Sequence, residues 1–392
     1  MTTFRKDFSA QAFWQGLLVA LVGYASSAAI LIQGLIAVGA SVQQVTSALI
    51  VIGILQGVVV FVLSWPMRMP IFIAWSTPGM ALLATTGAVS AGFPAAVGAF
   101  IVVGALIMLT GLWSPLGRLV AAIPKPIASA MLAGILVKLC LAPFLAIGKA
   151  PLLAGAVLVT WLLLTRIARG YAVPAAVAVA LAGMALDNPL SGIAITDLVP
   201  HIEFVMPVFN YEAMINIALP LFIVTMAGQN LPGLAVLSAY DYHPPSAPIL
   251  LSTGAASIAG APFCMPTINL AAITAALCAG PDAHPDPARR YVAAIFGGVG
   301  HILLIAIAAI AAQLIARSPP FLIEAVAGLA LIGAFGNAIS NAVQDENARL
   351  AGLVTFLVTA SGLSLMGIGS AFWGLVLGLA VHTLLGAGVR KP

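Results

Sequence analysis

The sequence predicts an all-α polytopic membrane protein of fourteen transmembrane segments, built as two inverted repeats of seven, and three observations support this fold class. Hydrophobic residues make up 62% of the chain and charged residues only 7%, whereas a soluble domain carries about 25% charged residues. Charge-poor stretches recur along the whole chain, and two of them, near residues 77 and 265, resemble each other. Such a chain is expected to cross a membrane many times as helices.

The apolar stretches set the predicted segments. They lie near residues 10–38, 41–64, 69–90, 93–112, 124–144, 150–168, 171–187, 211–236, 246–260, 262–280, 291–316, 320–336, 348–363 and 367–388. Met1–Gln11 is polar and carries no cleavage-site pattern, so we expect no signal peptide.

Charge distribution sets the predicted orientation. With the N-terminus inside, twelve Lys and Arg residues fall on the cytoplasmic side and three on the outer side, in agreement with the positive-inside rule. The inner set is Arg5, Lys6, Arg68, Arg118, Lys125, Arg166, Arg169, Arg289, Arg290, Arg349, Arg390 and Lys391, and the outer set is Lys138, Lys149 and Arg317. The predicted location is a bacterial inner membrane, with both termini cytoplasmic.

An internal repeat sets the architecture. Residues 77–92 (TPGMALLATTGAVSAG) and 265–280 (MPTINLAAITAALCAG) share seven of sixteen residues without gaps, and a second matching pair begins at Pro126 and Pro320. The offsets are 188 and 194 residues, as two halves of similar length require. An odd number of segments per half inverts the second half, so we predict inverted repeats over 10–187 and 211–388.

Segments 3 and 10 are predicted to be half-helices that begin at Pro78 and Pro266, because proline suits the first turn of a helix. Fifteen residues from Pro78 to Gly92 give about 22 Å of helix, short of the roughly 30 Å bilayer core. Two short antiparallel strands, within 69–77 and 260–265, are predicted to cover the remaining depth and satisfy each other's backbone groups.

Two helix N-termini at mid-membrane would aim free N–H groups and positive dipole ends at one spot, which suits a small anion. Thr77, Gly79, Thr267, Ile268 and Asn269 are therefore predicted to bind a carboxylate, although the threonines could instead only cap their helices. Further candidates from the approach segments are Trp75 and Met265, which offer an apolar wall or simply pack in the core.

Polar residues elsewhere in the spans add candidates. Gln229 and Asn230 lie in mid-span beside glycines, where polar groups usually face a cavity or a partner helix. Segment 1 carries Tyr24 and Ser27, which we include as substrate contacts, although a membrane serine often bonds only its own backbone.

Few residues inside the spans can ionise: Lys138, His301, Glu324 and His382. Each is a functional candidate by default. Glu324 and His301 are the candidates for proton coupling, and Lys138, near the outer end of segment 5, is a candidate ion-pair partner for Glu324. A static pair and a packing histidine remain as alternatives. The sequence shows no catalytic or metal-binding motif, so we predict neither an enzyme nor a metal or cofactor site.

Four long blocks, with AHPDPARRY at 283–291, resemble the benzoate/proton symporters of the BenE type. They are AWSTPGMALL at 74–83, TMAGQNLPGLAVL at 225–237, MPTINLAAITAALCAG at 265–280 and TASGLSLMGIGSAFWGL at 359–375. The family is related in fold to nucleobase and sulfate-type anion transporters. The resemblance implies a core domain (10–112 and 211–316) that moves against a gate domain (124–187 and 320–388), with the substrate between half-helices 3 and 10.

One departure favours an anionic substrate. Nucleobase relatives place glutamates in segments 8 and 10, whereas the matching positions here, around Gln229 and Thr267, carry no acid.

The expected function is therefore import of benzoate or a similar aromatic monocarboxylate with protons. A nucleobase or other organic-anion carrier, and an anion channel, remain alternatives. The expected partners are that carboxylate, protons and the lipid bilayer, with a homodimer left open and no nucleic acid.

Overall fold

The computed structural model of the 392-residue chain describes residues 7–113, 115, 117–118, 122–168, 171–187, 201–308, 310, 312–313, 319–365 and 369–386. Several residues used for the predicted orientation lie outside this part of the chain: Arg5, Lys6, Arg169, Arg317, Arg390 and Lys391.

The described residues are mainly helical, and each predicted segment contains one helix. The helices are α1 (Ala10–Ala37), α2 (Val42–Met67), α3 (Thr77–Thr86), α4 (Phe93–Leu112), α5 (Lys125–Lys149), α6 (Pro151–Ile167), α7 (Ala172–Asp187), α8 (Tyr211–Ala239), α9 (Ser246–Gly260), α10 (Ala272–Ala279), α11 (Tyr291–Leu304), α12 (Pro320–Gln344), α13 (Arg349–Ser361) and α14 (Ser370–Gly386).

Six of these helical stretches are long and apolar enough to cross a membrane: α2, α4, α5, α8, the stretch 287–307 that contains α11, and α12. A seventh is added if the bent pair Ala10–Ala25 and Ser27–Ala37 forms one span. Four shorter apolar helices, in α6, α7, α13 and α14, have 10–17 residues. The protein is thus a predominantly helical membrane protein with six or seven long apolar spans among its described residues.

Helix α8 contains two π-helical turns, Met214–Ala218 and Met226–Asn230. Pro220 and Pro232 each follow one of these turns by two residues. Proline lacks an N–H group and crowds the preceding turn, and a π-helical turn is one way for a helix to absorb such a defect. The second turn places Gln229 and Asn230 at a point where the helix widens.

A two-stranded antiparallel sheet lies in the interior of the fold. Strand β1 (Ile73–Trp75) pairs with β2 (Ile268–Leu270), so that Ile73 lies opposite Leu270 and Trp75 opposite Ile268. The Ala271 N–H extends the pairing by donating to the carbonyl of Phe72 at 2.9 Å. Pairing satisfies extended backbone that has no access to water.

The first broken segment agrees with the prediction at its start but not at its end. β1 lies within 69–77, and α3 begins at Thr77 with Pro78 in its first turn. The helix ends at Thr86 and not at Gly92, because Gly87 is left-handed at φ 77°. The N-cap is Ser76, whose hydroxyl accepts from the Gly79 N–H at 3.1 Å, so Thr77 does not cap this helix.

The second broken segment corrects the prediction. Residues 261–263 form a 3₁₀ turn and Cys264 is left-handed at φ 72°, so 260–265 is not a strand, and α10 begins at Ala272 rather than at Pro266. Residues 268–270 stay extended because they pair with β1. The first residues of the two strands, Ile73 and Ile268, are 195 residues apart, close to the second sequence offset of 194 and not to 188.

A few helix pairs make the most extensive contacts. They join α5 to α12, α4 to α9, and α1 and α2 to α11, and α13 packs on α5 and α14. Helices α2 and α11 approach closely at Gly57, where a Cβ would lie 2.9 Å from the Gly298 carbonyl oxygen.

Helix α5 runs to Lys149, past its predicted end, so Lys138 lies in mid-helix.

Candidate substrate-binding cavity

A cavity of about 110 Å³ lies beside the strand pair, between α12 and helices α1, α3, α8, α10 and α11. Cavities for drug-sized ligands measure about 300–1,000 Å³, so this one suits a much smaller molecule. It is lined by Gly23, Ser27, Phe72, Ala74, Trp75, Thr77, Pro78, Gln229, Ala271, Thr274, His301, Ala330, Leu331 and Ala334. Five residues predicted from the sequence therefore meet here: Ser27, Trp75, Thr77, Gln229 and His301.

Three side chains on this lining carry buried polar atoms with no hydrogen-bond partner among the described residues. They are Trp75 Nε1, Thr274 Oγ1 and His301 Nδ1. Trp75 and His301 are each only 4% exposed. Because an unpaired buried polar group costs roughly 1–3 kcal/mol, a cavity with three of them favours a ligand that can bond to them. Ser27 differs, since its hydroxyl donates to the Gly23 carbonyl at 2.7 Å.

Aromatic rings form one wall of the cavity. The His301 ring lies 5.4 Å from Phe72 and 6.1 Å from Trp75, measured between ring centroids. Tyr24 packs edge-on against Trp75 at 6.0 Å. Tyr24 itself lines a neighbouring apolar cavity of about 200 Å³ between α1, α7, α11 and α12. The structure thus places Tyr24 behind Trp75 and not on the central cavity.

The remaining predicted contacts from the second repeat lie in or beside β2, away from the central cavity. Asn230 is 1% exposed, and its side-chain oxygen accepts from the Leu270 N–H at 3.0 Å. The Ile268 N–H donates to the Ser257 hydroxyl at 3.1 Å. Met265, Thr267, Ile268 and Asn269 are completely buried, and none of them lines the central cavity.

Gly79 does not line the central cavity either, and its N–H already donates to the Ser76 hydroxyl. The first turn of α10 contributes Thr274, and Ala271 immediately precedes that helix. The prediction missed both residues because it began the helix six residues too early. The aligned repeat does contain Thr274, matched with Thr86, but the gapless alignment put it in mid-helix.

Among the described residues, no Asp, Glu, Lys or Arg lines the central cavity. Glu324 is exposed on α12 and does not reach it. The predicted Lys138–Glu324 ion pair is not formed: within the described ranges the ion pairs are Asp7–Arg68, Asp286–Arg289 and Glu346–Arg349. Lys138 lines a different, larger cavity. A carboxylate in the central cavity would meet no fixed negative charge.

A small cavity with a mixed apolar and polar lining among membrane helices, beside two interrupted helices, is the arrangement of a membrane transport protein. Comparison with known proteins makes this specific. Residues 6–384 match the family described as "Benzoate membrane transport protein". The chain belongs to this family of membrane transporters and is not an enzyme.

Two relatives match almost end to end. The chain is 40% identical over 373 residues to "Inner membrane protein YdcO" of Escherichia coli (strain K12), which covers 94% of both chains. It is 33% identical over 393 residues to "Benzoate membrane transport protein" of Acinetobacter baylyi, which covers 98% of both.

Solved structures share the fold. The transmembrane domain of a cyanobacterium bicarbonate transporter, BicA, superposes with a TM-score of 0.57 at 16% identity, covering 97% of this chain and 99% of that one. The murine anion transporter Slc26a9 in its inward-facing state gives 0.58 at 14% identity, covering 98% and 73%. At these identities the likeness shows the fold alone.

Proposed function

We propose that this protein imports benzoate, or a close aromatic monocarboxylate, together with protons across a bacterial inner membrane. The observation that carries the proposal is the central cavity itself. It combines an aromatic wall with unpaired hydroxyl and imidazole groups, and no described acidic side chain lines it. These features suit a one-ring carboxylate, and the family relationship supports the same substrate.

The carboxylate is proposed to lie between Thr77 and Thr274. Thr77 is the first residue of α3 and Thr274 lies in the first turn of α10. Helix N-termini favour negative charge through their dipoles and free N–H groups. The aromatic ring would then pack against Trp75 and Phe72, because aromatic pairs gain from edge-on or offset contact. Gln229 completes the polar side of the cavity.

His301 is proposed as the proton-coupling residue in preference to Glu324. His301 lines the cavity, whereas Glu324 does not. An imidazolium next to a carboxylate forms a charge-assisted, overall neutral pair. A neutral pair crosses apolar surroundings at lower cost than either ion alone, so the anion and the proton would bind and move together.

Alternating access is proposed to arise from two domains related by the inverted repeat, with fourteen segments in total. Helices α1–α4 and α8–α11 form the core, and α5–α7 and α12–α14 form the gate. The helix contacts fall mainly within these two sets, and the 195-residue spacing of the strands supports the repeat. The central cavity lies where α12, through Ala330, Leu331 and Ala334, faces the core. Small and apolar side chains there leave α12 free to slide.

Purified protein in proteoliposomes tests the proposal. Labelled benzoate should accumulate when the outside is more acidic than the inside, and excess unlabelled benzoate inside should drive counterflow of label. Counterflow requires a carrier, so a channel would not show it. In a parallel binding assay, a ligand at 100 times its dissociation constant should stabilise the protein by about 2.7 kcal/mol. Tight binding and uptake of a nucleobase, without any of benzoate, would refute the proposal.

A further inference from the structure

A second and larger cavity, of about 290 Å³, lies between α3 and α8 on one side and α5, α13 and α14 on the other. Its walls come from the end of α3, the start of α8, the middle of α5, and the junction of α13 and α14. In the predicted topology these helix ends all lie toward the outer face. Thr77 lines the central cavity and Thr85 the larger one, and eight helical residues span about 12 Å. In that topology, the larger cavity lies on the outer side of the central one.

The ammonium group of Lys138 lies on this cavity wall. It belongs to none of the ion pairs formed by the described residues. An ionisable side chain in mid-helix of a membrane segment is a functional candidate by default. The acid on the same cavity, Glu212, is engaged elsewhere: its carboxylate accepts from the Ser90 N–H at 3.1 Å and from the Ser90 hydroxyl.

The fold makes room for this ammonium group. Gly362, which ends α13, has φ 70°, and a Cβ placed there would lie 2.6 Å from Lys138 Nζ. Glycine suits the left-handed turn at this position, and the end of the Lys138 side chain packs against it. Thr359, 4% exposed, also lines the cavity, and its hydroxyl has no partner in the described part of the chain. A lysine ammonium and a threonine hydroxyl are both groups that can bond a carboxylate.

We propose that the cavity around Lys138 is a second carboxylate-binding site, where an aromatic monocarboxylate binds from the outer face before it enters the central cavity. This inference rests on the proposed transport function. Lys138 would raise the local concentration of the anion at the mouth of the pathway, while the aromatic wall of the central cavity selects the ring.

Uptake kinetics in right-side-out vesicles test the role of the charge. Lys138→Gln should raise KM for benzoate about tenfold, which is the loss of one charge-assisted hydrogen bond of about 1.5 kcal/mol, and leave the maximal rate nearly unchanged. Lys138→Arg should keep the wild-type KM. Lys149→Gln is the matched control, since Lys149 lies on the same helix against the Phe321 ring, outside this cavity. Added salt should raise KM for the wild type more than for Lys138→Gln.

A wild-type KM in Lys138→Gln, or an equal rise in Lys149→Gln, overturns the inference and leaves the transport function standing. Failure of the wild type to take up benzoate overturns the transport function, and a labelling experiment then decides on the site.

Ser364→Cys places a thiol on the exposed cavity wall, and the three native cysteines are buried. Benzoate should slow its labelling by a membrane-impermeant thiol reagent at least threefold with Lys138 present, and not in Lys138→Gln. Absence of protection, or equal protection in both backgrounds, refutes the site.

Discussion

Two threonines distinguish the observed start of α10 from the start expected from the sequence. Thr267 and Thr274 both carry a hydroxyl with no hydrogen-bond partner among the described residues. Thr274 lines the central cavity, whereas Thr267 is completely buried just before β2 and does not line it. Replacing each with valine removes the hydroxyl and keeps the branched shape. Only the Thr274 variant removes a polar atom from a residue that lines the cavity.

Thr274→Val should weaken benzoate binding by about 1.5–3 kcal/mol, the range for a hydrogen bond to a charged group, or roughly 10- to 150-fold in Kd. Thr267→Val should leave Kd unchanged, because that hydroxyl does not reach the ligand. It should also leave thermal stability unchanged or slightly higher, since a buried hydroxyl without a partner costs free energy.

Isothermal titration of the purified variants with benzoate gives Kd directly, and thermal unfolding without ligand shows whether each variant is intact. The opposite pattern, with weak binding in Thr267→Val and normal binding in Thr274→Val, would place the ligand at Pro266 and refute the site described above. Equal weakening in both variants would indicate a general loss of packing and refute a direct hydrogen bond from Thr274.

Three further outcomes are expected. In proteoliposomes, His301→Gln should retain benzoate counterflow but lose accumulation driven by a pH gradient. Glu324→Gln should keep both activities. The reverse result would return Glu324 to the coupling role. Asn230→Ala leaves a strand N–H unpaired and should lower the free energy of unfolding by about 1–3 kcal/mol, with an unchanged melting temperature counting against this bond. Gly57→Ala should lower the free energy of unfolding by about 1–3 kcal/mol through overpacking. Gly155→Ala is the control and should not, because there is open space around a Cβ at Gly155. Equal melting temperatures of the two variants would contradict the close approach of α2 and α11.

The central site was predictable in part, and the reason differs between the two repeats. Four of the predicted residues line the cavity: Trp75, Thr77, Gln229 and His301. The sequence indicated them because each is a polar or aromatic residue at a break or within a span, and that signal is local. Thr274 was missed because its place depends on where the preceding strand ends. That end is fixed by pairing with β1, a contact between residues almost 200 positions apart.

The sequence alone determined the membrane class, the positions of the helices, the first strand and the start of α3 at Thr77, because these depend on apolar runs and on the local preferences of proline. Only the tertiary structure decided the start of α10, the burial of Thr267 and Asn269, and the surroundings of Lys138. Proline at 266 carries the same local signal as Pro78, but backbone pairing across the two halves kept residues 268–270 extended. In a medium without water, an unpaired backbone group costs several kcal/mol, more than the preference of any single residue for a helix start.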